Sequence, residues 1–196
     1  MPNRLDQRFI IMTTALFAAT ACSVCHASPT VDITVATPQA MIGETLEVDI
    51  MYGGDGKLLG AFDFDLEYDA SSLNFLGYTL ANSLGDLTLF EAVDWSGGEL
   101  SAGTVNVTEV SFLADLSFQP TTFSLVTLSF EALSVGHSDL TIGYSDFSDE
   151  QGDAIVPTIN TSSIQIMNPV PEPSSALLFA FGLLGLARRQ SFQWNR

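Results

Sequence analysis

Thiols, imidazoles and positive charge are all scarce in this chain. Both cysteines, Cys22 and Cys25, fall within the first 27 residues. Residues 28–168 therefore have no disulfide available and need a hydrophobic core, for which a stretch of that length suffices. Histidine is limited to His26 and His137, so no His/Cys cluster can hold zinc. Five of the six basic residues (Arg4, Arg8, Arg188, Arg189 and Arg196) lie near the two termini, leaving Lys57 alone between residues 28 and 168. Only Asp6 and Glu172 of the 23 acids lie outside that stretch, so 21 acids face one base and the formal charge is −20. Such a surface repels phosphate backbones, which excludes nucleic acid as a partner. It favours solubility, and it opposes anionic polymers unless divalent cations intervene.

Two apolar runs bracket the acidic stretch. Arg4 and Arg8 precede Phe9–Ala21, which has the length of a signal-peptide core rather than a membrane span. Cys25-His26-Ala27 offers small residues for cleavage before Ser28. Ala19-Thr20-Ala21-Cys22 loosely resembles a lipobox, so a lipidated Cys22 is the alternative start of the mature chain. Near the other terminus, Val170-Pro171-Glu172-Pro173-Ser174 opens a run to Ala187 that stops at Arg188-Arg189. As a helix this run of about 14 residues would span ~21 Å, against a hydrocarbon core of ~30 Å. The two arginines favour a cytoplasmic C-terminus.

The order of an acidic-proline signature, a marginal apolar segment and a basic stop resembles the PEP-CTERM sorting signal. The residues that carry the resemblance are Pro171, Glu172, Pro173, Arg188 and Arg189. It implies handling by exosortase in a Gram-negative bacterium that makes extracellular polysaccharide. The tail would pause in the inner membrane, be cut near Pro171-Glu172-Pro173, and release the protein to the cell surface or matrix. The expected organisation is a signal peptide at 1–27, one domain at 28–168 and a sorting segment with an apolar helix at 169–196.

The domain reads as strands throughout. Ala61-Phe62-Asp63-Phe64-Asp65-Leu66-Glu67-Tyr68-Asp69 alternates strictly, placing Phe62, Phe64, Leu66 and Tyr68 on one face and four acids on the other. Val31–Val35 and Leu46–Ile50 alternate too. Further strands are expected at Leu73–Leu80, Leu87–Val93, Thr104–Leu113, Phe123–Leu133, Asp139–Tyr144 and Ser162–Met167. About nine short strands without a helical period imply an all-β antiparallel sandwich of two sheets.

Gly60–Asp69 followed by Ser72-Leu73-Asn74-Phe75 resembles the early core strand of cohesin domains. Phe123–Ala132 with Gly136–Ile142 resembles their late pair, and Val31–Ile50 their opening pair. The resemblance covers most of Val31–Met167. It implies a nine-stranded jelly-roll sandwich, related in fold to carbohydrate-binding modules, that docks a protein partner. Cohesins take calcium-bearing dockerins; this chain has no dockerin repeat of its own.

Chemistry-bearing residues are few. His137, in Val135-Gly136-His137-Ser138-Asp139, falls on an expected turn, where a Ser-His-Asp relay lacks the fixed geometry it needs. Asp63, Asp65, Glu67 and Asp69 point one way along a strand, unlike the facing carboxyls of a glycoside hydrolase, which is the least supported class. No cofactor is indicated. Asp146, Asp149 and Asp153 lie in an acid-rich segment whose oxygens suit calcium; an ordinary acidic turn is the alternative. Trp95, beside Ser96-Gly97-Gly98, is a candidate for stacking on a sugar ring, although such a ring more often caps a sandwich core. The expectation is a non-enzymatic docking or structural module, with a surface protein or an exopolysaccharide as partner.

Overall fold

A computed structural model describes residues 28–169. The signal-peptide segment with Cys22, and the tail from residue 170 onward with its apolar run, lie outside the described residues. No helix among the described residues is long and apolar enough to cross a membrane.

The chain forms, in order, β1 (Thr30–Val35), β2 (Gln39–Met41), β3 (Thr45–Gly53), β4 (Ala61–Glu67), β5 (Leu73–Leu80), β6 (Ala92–Asp94) and β7 (Gly98–Ser101). There follow β8 (Thr104–Ser111), β9 (Thr122–Ala132), β10 (Gly136–Ser148), β11 (Ala154–Ile155), β12 (Thr158–Asn160) and β13 (Ser162–Met167). One sheet has the order β12-β1-β3-β9-β5, and the other β2-β13-β10-β4-β8-β6, with β7 also on β8 and β11 on β10. The architecture is an all-β sandwich. All pairings are antiparallel except the short edge pairs β1–β12 and β2–β13, which are parallel.

Eight of the nine expected strands form, with ends shifted by up to four residues. The exception is Leu87–Val93. Asp86 accepts hydrogen bonds from the Thr88 N–H (2.7 Å) and hydroxyl (2.6 Å), which caps a single 3-10 turn at Leu87–Leu89. Phe90 then adopts a left-handed backbone (φ 59°), and pairing resumes only at Ala92. The additional strands are two to four residues long, too short to show a period.

Between the sheets, alternation does what the pattern of β4 demands. Phe62, Phe64 and Leu66 are buried with Val105, Val107, Leu140 and Phe147 of the same sheet. Val48, Ile50, Leu128 and Phe130 face them from β3 and β9. Phe64 stacks between Phe62 (5.7 Å) and Phe147 (6.5 Å), and Tyr68 meets Phe130 edge-on at 5.0 Å, joining the layers. The Tyr68 hydroxyl reaches Glu99 Oε1 at 2.9 Å. Beside it the backbone of Gly103 (φ +92°) passes so close that a Cβ would lie 2.8 Å from the Tyr68 carbonyl oxygen, so only glycine fits.

These packing positions differ sharply from their polar neighbours. Phe64→Ala is expected to cost about 3–5 kcal/mol, whereas Asp65→Ala, which removes one solvent-side hydrogen bond, costs about 1 kcal/mol. Urea unfolding midpoints of the two variants measure the contrast; equal losses would contradict the assigned strand facing.

Candidate functional site

The outer side of β6, β8, β4 and β10 is one continuous face, and the register dictates its composition. Thr108 is the cross-strand partner of Asp63, and Asp63 of Asp146; Asn106 partners Asp65, and Asp65 partners Tyr144. Asn106 Nδ2 donates to Asp63 Oδ1 (2.8 Å) and Asp65 Oδ1 (2.9 Å), and the Thr108 hydroxyl donates to Asp63 Oδ1 (2.7 Å). Gly97 N–H in turn holds Asn106 Oδ1 at 2.8 Å. The carboxylates are thus oriented by neutral donors, with no Lys or Arg beside them among the described residues.

Around this polar centre stand large exposed side chains. The Trp95 backbone N–H donates to the Thr108 carbonyl (2.9 Å), and the Asp94 carboxylate accepts from the Ser96 backbone N–H (2.9 Å), so the chain keeps to the edge of β8 past the end of β6. That register turns the indole outward, 64% exposed, instead of capping the core. Leu100 (58%) lies on the same side, close to Gly97, and Tyr144 (50%) stands across the face on β10. Trp95 and Tyr144 are separated by β8 and β4, three strand spacings or ~14 Å.

Other sequence candidates are dispersed. Asp146 belongs to β10 rather than to a loop. Asp149 closes the following turn, its Oδ1 accepting from Gln151 N–H (3.0 Å) and Asp153 N–H (2.9 Å). Among the described residues no group of three or more His, Cys, Asp or Glu side chains is gathered closely enough to hold a metal ion. Asp69 leaves the acidic face and caps the turn after β4, accepting from Ser71 and Ser72, which holds its carboxyl below the ordinary range. His137 lies on β10, not on a turn; it meets Asp139 Oδ1 at 2.8 Å on the exposed side, while Ser138 points inward and accepts the Asp69 N–H. Alternation puts Ser138 on the opposite face from its two neighbours, so the three form no catalytic relay.

One functional group had no counterpart in the expectations. Glu109 follows the inward phase of Val105 and Val107 and is fully buried, and neither carboxyl oxygen has a hydrogen-bond partner among the described residues. Its cross-strand partner Asp94 is held at the sandwich mouth by the Tyr78 hydroxyl from the other sheet (2.9 Å). Burial, then the Asp94 charge, push the Glu109 carboxyl up to about 8. The inward phase was legible from Val105-Asn106-Val107-Thr108-Glu109; composition alone would have placed this acid outside.

Residues 169–190 match the PEP-CTERM protein-sorting motif. The chain carries that sorting motif behind a domain whose fold is similar to that of cohesins. Its structure is similar to the sixth cohesin of scaffoldin B from Acetivibrio cellulolyticus, solved in complex with a dockerin. The two share 15% identity and a TM-score of 0.61, over 72% of this chain and 100% of that one. It is also similar to the cohesin module of a family 33 glycoside hydrolase from Clostridium perfringens (13%, TM-score 0.58, 72% and 100%). A non-cellulosomal cohesin from Archaeoglobus fulgidus gives 13% identity and a TM-score of 0.57, over 72% and 93%. At these identities the likeness concerns the cohesin-like fold. None of the curated proteins compared matches the chain.

The buried acid makes stability depend on pH. Between the ordinary carboxyl value of 4.5 and about 8, the native state holds a proton that the unfolded chain releases. Stability is therefore fully present below the unfolded value and declines as pH rises to about 8. Glu109→Gln is expected to flatten the melting-temperature profile between about pH 5 and 8, the window in which the native state alone holds that proton. Parallel profiles for the variant and the parent would contradict the assignment.

Proposed function

We propose that the protein is an exported, non-enzymatic docking module, sorted through its PEP-CTERM tail by exosortase and released to the cell surface or the exopolysaccharide matrix. The apolar segment at 174–187 would hold it transiently in the inner membrane, and cleavage near Pro171-Glu172-Pro173 would free it. A signal peptide ending at Ala27 would start this route. The matched motif at 169–190 supports the sorting half. For the docking half, the carrying observation is the outer face of β6, β8, β4 and β10. Apolar anchors at Trp95, Leu100 and Tyr144 surround hydrogen-bonded Asp63, Asp65 and Asn106, the anatomy of a protein interface. The partner would bring Lys or Arg to these carboxylates. Cohesins of similar fold, solved with dockerins bound, support a protein partner. A jelly-roll connectivity, as cohesins have, accords with this reading.

A second reading rests on Trp95. An indole this exposed offers a flat face to a sugar ring, with Asn106 and Thr108 within the same platform as hydrogen-bonding groups. The protein would then bind matrix polysaccharide as a carbohydrate-binding module.

Retention of the mature protein on isolated native matrix separates the two. Docking to a protein predicts that prior protease treatment of the matrix abolishes retention, and that Asp65→Lys lowers it about tenfold, or ~1.4 kcal/mol. Retention that survives protease but is lost in Trp95→Ala would overturn docking in favour of polysaccharide binding.

A further inference from the structure

The two ends of the sandwich differ in what leaves them. Ser28 lies at the end formed by Gly53 and Thr122, with which it lines one cleft. Strand β13 delivers Met167 to the opposite end. There Met167 is the register partner of Met41, and its carbonyl accepts the Ile42 N–H at 3.2 Å. Gly43 N–H donates to the Ala132 carbonyl (2.8 Å) and Ala132 N–H to the Glu44 carbonyl (2.9 Å), which brings Leu133 to the same turn. Val135 precedes Gly136, the partner of Ile166. Met41, Ile42, Leu133, Val135 and Met167 therefore gather at one end from the β2–β3 connection, the β9–β10 connection and the end of β13, each residue 38–52% exposed.

Acids rim this patch. Glu44 belongs to the β2–β3 turn, and Asp69 to the turn whose Ser72 carbonyl accepts the Leu133 N–H at 2.8 Å. Asp139 stands three residues into β10, beside His137. Lys57, the one lysine of the chain, sits at the other end, in the connection after β3.

The covalent tether decides what the patch meets. From Met167 to Glu172 the chain can reach at most about 18 Å. An enzyme that cuts at Pro171-Glu172-Pro173 must bring its catalytic groups within that distance of Met167. A folded protease that takes the tail at so short a distance would bring its own surface against this end of the sandwich. An apolar centre with a charged rim suits a protein surface, whereas the acids oppose an anionic bilayer.

Resting on the sorting reading above, we propose that this patch is a docking surface for the tail-cutting exosortase, which would present apolar side chains ringed by Lys or Arg. The folded domain and the tail are then read together. Because the tail already confines the two, even a weak contact raises the occupancy of the cutting site.

Pulse-chase of the full-length chain in cells containing exosortase tests this. The variant Ile42→Ser/Leu133→Ser/Val135→Ser is expected to shorten about fivefold more slowly than the parent, with an unchanged melting temperature of the purified protein. Inserting a flexible Gly/Ser segment between Asn168 and Pro169 uncouples the patch from the cut. It should slow the parent to a similar rate and slow the triple variant no further. A triple variant shortened at the parental rate, while the parent is shortened only when exosortase is present, overturns the docking surface and leaves the sorting reading standing. A parent that keeps its full length overturns the sorting reading and the docking surface with it. Flotation of the mature, released form with phosphatidylcholine vesicles, if it depends on the patch, would assign the surface to lipid and overturn the proposal.

Discussion

Phe62, Phe64 and Leu66 pack against β3 and β9, and the outer face inherits its geometry from that contact. A strand buried on one side has a pinned register, because a slip of one residue would exchange every core side chain for a solvent one. Pinning β4 aligns Asp63 with Thr108 and Asp146, and Asp65 with Asn106 and Tyr144. Like charges opposed at Asp63 and Asp146 would ordinarily weaken a pair of strands. Here Asn106 and Thr108 donate to Asp63, so hydrophobic burial and neutral donors together hold an acidic platform flat.

The same layering explains where the molecule departs from a conventional core. Glu109 occupies an inward position between strands β4 and β6, and low polarity there favours its protonated form. The Asp94–Tyr78 hydrogen bond closes the mouth above it, tying the edges of the two sheets. Platform, buried acid and tail-proximal patch lie on three distinct parts of the sandwich. On the reading proposed, the face serves the matrix partner and the end beside Met167 serves processing.

Much of this was legible because a period of two leaves a clear trace in β4 and β8. Where the trace is interrupted, local chemistry decides. Asp86 and Thr88 build a turn inside an apolar stretch that otherwise reads as a strand. The bulge between Ile142 and Tyr144 lets β10 run to Ser148, which carries Asp146 onto the sheet. Trp95 faces solvent because the edge of β8 continues beyond β6, a pairing between distant residues that no local window contains. The tail-proximal patch joins residues from 41 to 167, so its contiguity emerges only in three dimensions.

The most direct test of the account is intact-mass measurement of the native protein from fractionated cells, with and without exosortase. The account predicts a surface or matrix species that begins at Ser28 and ends near Glu172, absent when exosortase is removed. An intact C-terminus in the inner membrane under both conditions, or a mature chain beginning at a lipidated Cys22, would contradict it.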